Sequence, residues 1–334
     1  MKKKTLIYGG GAIGSFIATC LIKSNHEIFF LCRKKNYNRI KKNGLKIKVF
    51  NNDELIKKYQ INVNKKFKVI NSLKKFHTVK FDNIFITTKL TENLKKIFLN
   101  IEKNISDKTL IITPCTAIPF WWFQCLKPQK HEKIKSSLDP IFIKNLDRKN
   151  LVGMTMWLSG KIEKPGIVKI NHIQRGFPMK EVFSDKKNEV DQLRKDILKT
   201  CISPKVQNIY SEIFIKSINS LAFNLIALKY QQNNFELNNN SKAKREILKI
   251  QKEGDKLLRI NNIKIYQSAE ARIKQTLKSK NHTMSMLNAY QNNKKIELKD
   301  LWLSVENLIE KVDVKMNFTK KIFNEMKKKL HEFI

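Results

Sequence analysis

The sequence predicts an α/β domain built on a doubly wound, mostly parallel sheet, followed by an all-α domain. Three observations carry that prediction. A glycine-rich turn sits between a short apolar strand and a helix at the very start of the chain, Leu6-Ile-Tyr-Gly-Gly-Gly-Ala-Ile-Gly14. Apolar strands then alternate with helical segments, which is the signature of a parallel sheet. From Ser211 onward there is no proline, glycine occurs once at Gly254, and apolar residues recur at helical spacing.

In chain order, residues 1 to about 35 read as β-α-β, with a helix over Ala12–Lys23 and a second strand over Glu27–Cys32. Residues 36–80 are basic and poorly periodic, with possible strands at Leu45–Phe50 and Phe67–Ile70. Asn83–Lys89 reads as a buried strand ending in polar residues. Leu90–Ile101 follows as a helix and Thr109–Pro114 as another strand, which runs into Cys115-Thr-Ala-Ile-Pro-Phe-Trp-Trp-Phe123. Leu151–Lys161 and Ile167–Asn171, around Pro165-Gly166, read as a hairpin extending the sheet. Cys201-Ile-Ser-Pro204 reads as the linker, which divides the chain into domains of residues 1–204 and 205–334. Helices are expected over Ser211–Tyr230, Ser241–Asn261, Ser268–Ser279 and Leu298–Lys329, with the Asn-rich runs at 233–240 and 291–293 as loops.

The 334-residue chain carries a formal net charge of +38. Lysine, asparagine and isoleucine are abundant along its whole length, so the charge reads as a compositional bias rather than a specific nucleic-acid face. It predicts salt-sensitive, non-specific attraction to polyanions. The five cysteines (20, 32, 115, 125 and 201) form no C-x-x-C pair, so no metal site and no disulfide framework is indicated. Buried thiols in a reducing, cytoplasmic setting are expected. The N-terminus reads as a strand and not a signal peptide, and no membrane span is expected.

Gly9, Gly11 and Gly14 stand in the G-x-G-x-x-G spacing of a dinucleotide-binding turn. Gly9 permits the tight turn, Gly11 the approach of a pyrophosphate, and Gly14 the close packing of helix on sheet. The N–H groups at the helix start, around Ala12 and Ile13, and the positive end of its dipole then face the phosphates. An NAD site places an acid at the end of the second strand to bind the ribose 2′-hydroxyl. Here Arg33-Lys34-Lys35 fills that slot. The reading is NADP(H), with Arg33 as the main contact to the 2′-phosphate and Lys34 as support.

In the second domain Lys216, Ser220 and Asn224 are spaced by four and share one helix face. From spacing alone they are either a functional stripe or the polar face of an ordinary helix. Ser285 reads equally as a turn residue or helix cap, and Glu297 as a solvated charge.

Taken together, in order and over the full length, these pieces resemble the ketopantoate reductase (2-dehydropantoate 2-reductase) family. The matching residues are Gly9-x-Gly11-Ala-Ile-Gly14-Ser, Arg33, Lys89, Pro119-Phe-Trp-Trp-Phe123, Lys216 with Asn224, and Ser285-Met-Leu followed by Glu297. The resemblance implies a Rossmann domain, an all-helical domain, and an active site in the cleft between them. It implies NADPH-dependent reduction of a 2-oxo acid, 2-dehydropantoate to (R)-pantoate, by a monomer or homodimer with no specific nucleic-acid or membrane partner. Lys216 is then the general acid, and Glu297 positions a substrate hydroxyl or the lysine. Ser220, Asn224, Asn234 and Ser285 contact substrate, and Lys89 and Thr116 contact the cofactor. The chain departs from the family pattern at Thr116-Ala117, where Asn-Gly is usual, at Ser220 in place of an asparagine, and at Ala289 in place of an aspartate. Those departures leave open another 2-oxo acid, or a catalytically weak NADP(H)-binding regulator.

Overall fold

A computed structural model describes residues 2–51, 54–88, 94–114, 116–119, 121–122, 148–279, 282–312 and 314–333. These fall into two compact units. The first holds the described residues up to 114 together with 148–209; the second holds 116–122 and 210–333.

The first unit runs β1 (Lys4–Tyr8), α1 (Ala12–Lys23), β2 (Glu27–Leu31), α2 (Lys34–Asn43), β3 (Leu45–Asn51), β4 (Glu54–Ile61) and β5 (Phe67–Ile70). It continues through β6 (Asn83–Ile86), α3 (Leu94–Ile101), β7 (Leu110–Ile112), β8 (Leu151–Met154), β9 (Trp157–Lys164), β10 (Ile167–Gly176), β11 (Met179–Glu181) and α4 (Lys187–Leu198). Seven strands form one sheet in the order β11-β8-β7-β6-β1-β2-β5, parallel throughout except for β11. The strand order reverses around β1, so the carboxyl ends of β1, β2 and β6 converge at one edge, where open α/β sheets place ligands.

The hairpin expected to extend this sheet does not. Only β8 joins it. β9 and β10 build a second, four-stranded sheet with β3 and β4, in the order β4-β3-β10-β9, with β3 and β10 parallel. β4 escaped the sequence reading because seven of its eight residues are exposed or half-buried, leaving no apolar alternation to read. α1 packs against β1 and β2 on one side and against β3, β9 and β10 on the other. That double covering explains why Gly14 to Leu21 are all buried, with no polar face.

At the amino end of the main sheet His26 is buried. Asn83 Nδ2 donates to Thr5 Oγ1 (3.1 Å), Thr5 Oγ1 and His26 Nδ1 are 2.9 Å apart, and His26 Nε2 lies 3.1 Å from Asp196 Oδ2. This chain of donors leaves the ring proton on Nε2 and stitches three strand starts to α4. Burial lowers the His26 pKa from 6.5, with Asp196 opposing the shift. A histidine whose folded pKa is depressed binds its proton more readily when unfolded, so its contribution is complete above pH 6.5 and is lost as pH falls below it. The melting temperature is therefore expected to drop on acidification from pH 7, and the drop should be smaller in His26→Gln. Equal pH dependence in the two proteins would show that His26 does not carry it.

The described cysteines 20, 32 and 201 are buried free thiols. Burial pushes Cys32 to about 11 and Cys201 to about 12, so both stay protonated at neutral pH. Cys115 and Cys125 lie outside the described residues.

The stretch read as a linker instead packs into the first unit. Phe177 N donates to Ile202 O (2.9 Å), Ser203 Oγ to Phe177 O (2.8 Å), and Met179 forms a bridge with Lys205. The unit accordingly continues to residue 209.

The second unit is helical: α5 (Ile209–Tyr230), α6 (Asn234–Asn239), α7 (Ser241–Ile260), α8 (Ala269–Leu277), α9 (Ser285–Gln291), α10 (Leu298–Val312) and α11 (Asn317–Lys329). Two expectations are corrected here. The Asn-rich run 233–240 is a helix, because Asn233 forms a capping box with Glu236 and Asn240 caps α7 through Ala243 N. The single helix expected over Leu298–Lys329 is two, since α10 ends at Val312 and α11 begins at Asn317. The described residues of the 116–122 stretch, 116–119, 121 and 122, pack within this unit. Ser217 Oγ donates to Thr116 O (2.6 Å), Trp122 Nε1 to Tyr210 O (2.7 Å) and Ile118 N to Ser304 Oγ (3.3 Å). Trp121 and Trp122 are fully buried against Tyr210, and Trp122 against Phe214 as well.

Among the described residues, α5 alone has the length and apolarity of a membrane span. Its most apolar window is 78% buried inside the protein, and the helix carries Glu212 and Lys216. It is the core helix of its unit.

Candidate active site

The glycine turn follows β1. Gly9 has φ +126°, a backbone angle that disfavours any side chain. Thr87, just past β6, pins the turn: its N donates to Tyr8 O (2.9 Å) and its Oγ1 to Gly9 O (2.8 Å). A Cβ on Gly14 would lie 2.2 Å from Gly9 O and 2.5 Å from Thr87 Oγ1, so only glycine lets α1 start this close to the sheet. A Cβ on Gly11 would meet nothing within 4 Å. No side chain caps the first turn of α1, which contains no acid. The Thr88 hydroxyl is buried without a hydrogen-bond partner. The open face over Gly11, the uncapped helix start around Ala12 and Ile13, and this hydroxyl fit a bound pyrophosphate and its neighbouring ribose.

Arg33 lies two residues beyond β2, exposed at the N-cap of α2. The strand register Tyr8↔Leu31 sets it next to the glycine turn. Asn36 Nδ2 donates to Gly10 O (3.4 Å), holding α2 against that turn. The Lys34 side chain and Lys89 lie outside the described residues. Sequence reasoning passed over Thr87, Thr88 and Asn36. The adjacent threonines closing an apolar strand were the available signal.

In the second unit α5 carries Lys216, Ser220 and Asn224 on successive turns. Asn224 is buried; its Nδ2 donates to Ser220 O (2.8 Å) and Ser220 Oγ (3.2 Å), and its Oδ1 accepts from Met286 N (3.0 Å). That last bond caps α9 from another helix, where α9 has no side-chain cap of its own. Ser285, the first residue of α9, is exposed. The structure thus joins Ser220, Asn224 and the start of α9 in one cluster, with Lys216 one turn earlier.

Lys216 is half-buried. Burial lowers its pKa from 10.5 to about 8, and Glu212, one turn back on α5, opposes the shift. Sequence reasoning missed Glu212, although it lies four residues before Lys216 in the same stripe. It also missed Ser217, whose bond to Thr116 sets the 116–122 segment against this helix. Glu297 is half-buried and directly precedes α10, with Leu301 N donating to its carbonyl (3.1 Å).

Asn234 is wholly buried at the start of α6. Its Nδ2 donates to Thr276 O (3.0 Å) and Ser279 O (3.1 Å), which locks α6 to the end of α8. Also from α5, Asn219 joins Gln251, Arg272 and Asp255 in a buried chain of hydrogen bonds, with Arg272 Nη2 2.7 Å from Asp255 Oδ1.

Together these features describe an α/β unit with the glycine turn of a dinucleotide fold, and a helical unit with a polar stripe around a lysine. Residues 5–114 match the family model of ketopantoate reductase PanE/ApbA. Solved structures share the fold over nearly the whole chain. A ketopantoate reductase candidate from Ralstonia solanacearum MolK2 is 16% identical, covering 99% of both chains with a TM-score of 0.81. The 2-dehydropantoate 2-reductase of Methylococcus capsulatus is 16% identical over 99% of this chain and 97% of that one, TM-score 0.74. D-mandelate dehydrogenase in complex with NADH and anilino(oxo)acetate is 19% identical, covering 99% of both chains, TM-score 0.78. No curated protein sequence matches the chain significantly.

Proposed function

We propose that this chain is an NADPH-dependent reductase of a 2-oxo acid, taking 2-dehydropantoate to (R)-pantoate. The observation that carries the reading is the Lys216 stripe of α5, an amine of lowered pKa beside a hydroxyl and an amide tied to α9. It occurs in a chain whose first unit has a turn built for a dinucleotide.

Reduction of a 2-oxo acid needs a hydride on the carbonyl carbon, a proton on its oxygen, and a grip on the carboxylate. A bound nicotinamide supplies the hydride. In this reading Gly9, Gly11, Ala12, Ile13 and Gly14 hold the pyrophosphate, Thr88 adds a hydroxyl, and Arg33 grips the 2′-phosphate. Lys216 gives the proton to the carbonyl oxygen and, while charged, stabilises negative charge there. A pKa near 8 keeps it mostly protonated at neutral pH yet able to release the proton. Ser220 and Ser285 offer hydroxyls to substrate oxygens. Asn224 has its amide committed to Ser220 and Met286, so it sets those two serines in place. Glu297 positions a substrate hydroxyl or the lysine.

The specific observation favouring a second reading is the D-mandelate dehydrogenase neighbour, whose bound ligand carries an oxo group next to a carboxylate. Ser220 and Ala289 are smaller than the family's usual residues, and a pocket so relieved would accept a bulkier, aryl 2-oxo acid. A panel of 2-oxo acids, 2-dehydropantoate and aryl ones included, followed by NADPH absorbance, separates the two. The expected result is fastest turnover on 2-dehydropantoate. Faster turnover on an aryl 2-oxo acid would select the second reading, and turnover on none would leave a dinucleotide-binding regulator.

A further inference from the structure

The four-stranded sheet buries one face against α1 and turns the other to solvent. The strand register places four lysines in one row across that outer face: Lys58 of β4 opposes Lys48 of β3, Lys48 opposes Lys169 of β10, and Lys169 opposes Lys161 of β9. Directly paired residues share a face. With strands about 4.8 Å apart, the row spans about 14 Å. Lys46, two residues from Lys48, extends it along β3 and is exposed. Glu163 reaches into the row, 2.9 Å from Lys48 Nζ. The Lys169 ammonium stands 4.3 Å from the centre of the Phe50 ring, which is half-buried on the same face, and Ile56 at the neighbouring edge is 60% exposed.

Like charges directly opposite one another on adjacent strands repel. Glu163 offsets Lys48, and the row of four lysines still carries an excess of positive charge that a polyanion laid across the strands complements. Cations on a sheet beside an aromatic ring and an apolar edge match a single strand of nucleic acid, with its phosphates on the ammoniums and a base against the ring. An anionic bilayer would meet the charges but gives no use to a single ring set among them.

We propose that the outer face of the β4-β3-β10-β9 sheet binds single-stranded nucleic acid without sequence preference, through Lys48, Lys58, Lys161 and Lys169. This surface lies wholly within the first unit and is independent of the reductase reading. It differs from attraction to the overall charge in being local, and the test is built on that difference.

Binding of a fluorescently labelled 20-nucleotide mixed-sequence RNA would be followed by anisotropy between 0.05 and 0.3 M salt for three proteins. They are the unmodified chain, Lys48→Gln/Lys58→Gln/Lys161→Gln/Lys169→Gln, and a control that removes four exposed lysines of α11, Lys321→Gln/Lys327→Gln/Lys328→Gln/Lys329→Gln. The sheet variant is expected to bind about tenfold or more weakly at 0.15 M salt. Its slope of log affinity against log salt should be shallower by about 2 to 3, from 0.7 per lost phosphate contact. The control, with equal net charge, should change less than threefold. Glu163→Gln, which frees Lys48, should bind tighter. Melting curves of both quadruple variants confirm that they fold; if the sheet variant does not, Glu163→Gln and the single Lys58→Gln decide by their opposite signs. Equal losses in sheet and control variants would overturn the proposal. So would an unmodified chain that binds phosphatidylserine vesicles at 0.15 M salt but not the RNA.

Discussion

Lys216→Ala is expected to lower kcat for reduction of the best 2-oxo acid by about 10²- to 10⁴-fold, the usual worth of a positioned general acid. NADPH affinity should hardly change, since in the proposed mechanism the dinucleotide is gripped by the glycine turn and Arg33. The pH profile gives a second readout. Burial brings the Lys216 pKa to about 8, so the protonated acid is present below that pH and disappears above it. Reduction should therefore decline as pH rises through about 8 in the unmodified protein. Residual activity in Lys216→Ala should lose that limb. Glu297→Ala should raise KM, lower kcat, or do both, according to whether its bond forms with bound substrate or strengthens in the transition state. If Lys216→Ala turns over normally, the proton has another source and the stripe on α5 is structural.

Arg33→Ala should weaken NADPH by roughly 10- to 100-fold while leaving NADH nearly untouched. The loss corresponds to one charge-assisted contact with the 2′-phosphate, about 1.5–3 kcal/mol. Arg33 is exposed at the N-cap of α2, with no acid in the following turn to compete for it. Titration of both cofactors by tryptophan fluorescence checks this loss, and equal affinities in the unmodified protein would remove the assignment of NADPH.

The parts of this fold that were legible in the sequence are those decided locally. The glycine turn is dictated by backbone sterics within six residues, and the structure shows why at Gly9 and Gly14. The shared face of Lys216, Ser220 and Asn224 follows from helical period alone. What was not legible depends on partners distant in sequence. Nothing local tells β10 to pair with β3, more than a hundred residues earlier, and not with the main sheet. That the Asn234 amide nitrogen bonds the carbonyls of Thr276 and Ser279 likewise depends on residues more than forty positions away. Asn233 and Asn240 read as loop formers, whereas cap geometry makes both of them helix starters. Glu212 was hidden by a family pattern that directed attention to Glu297.

The position of α1 between two sheets also bears on how the chain is made. Its inner side meets β1 and β2, complete by Leu31, and β3 follows by Asn51, but the rest of its outer side waits for β9 and β10, which end at Gly176. Closing that gap by the parallel pairing of β3 with β10 fixes a long loop before any contact rewards it, which slows folding. Until residue 176 has left the ribosome, the helix that begins the nucleotide site has an oily flank open to other nascent chains. The glycine turn thus stands on a helix whose second wall is completed only about 150 residues of synthesis after the helix itself.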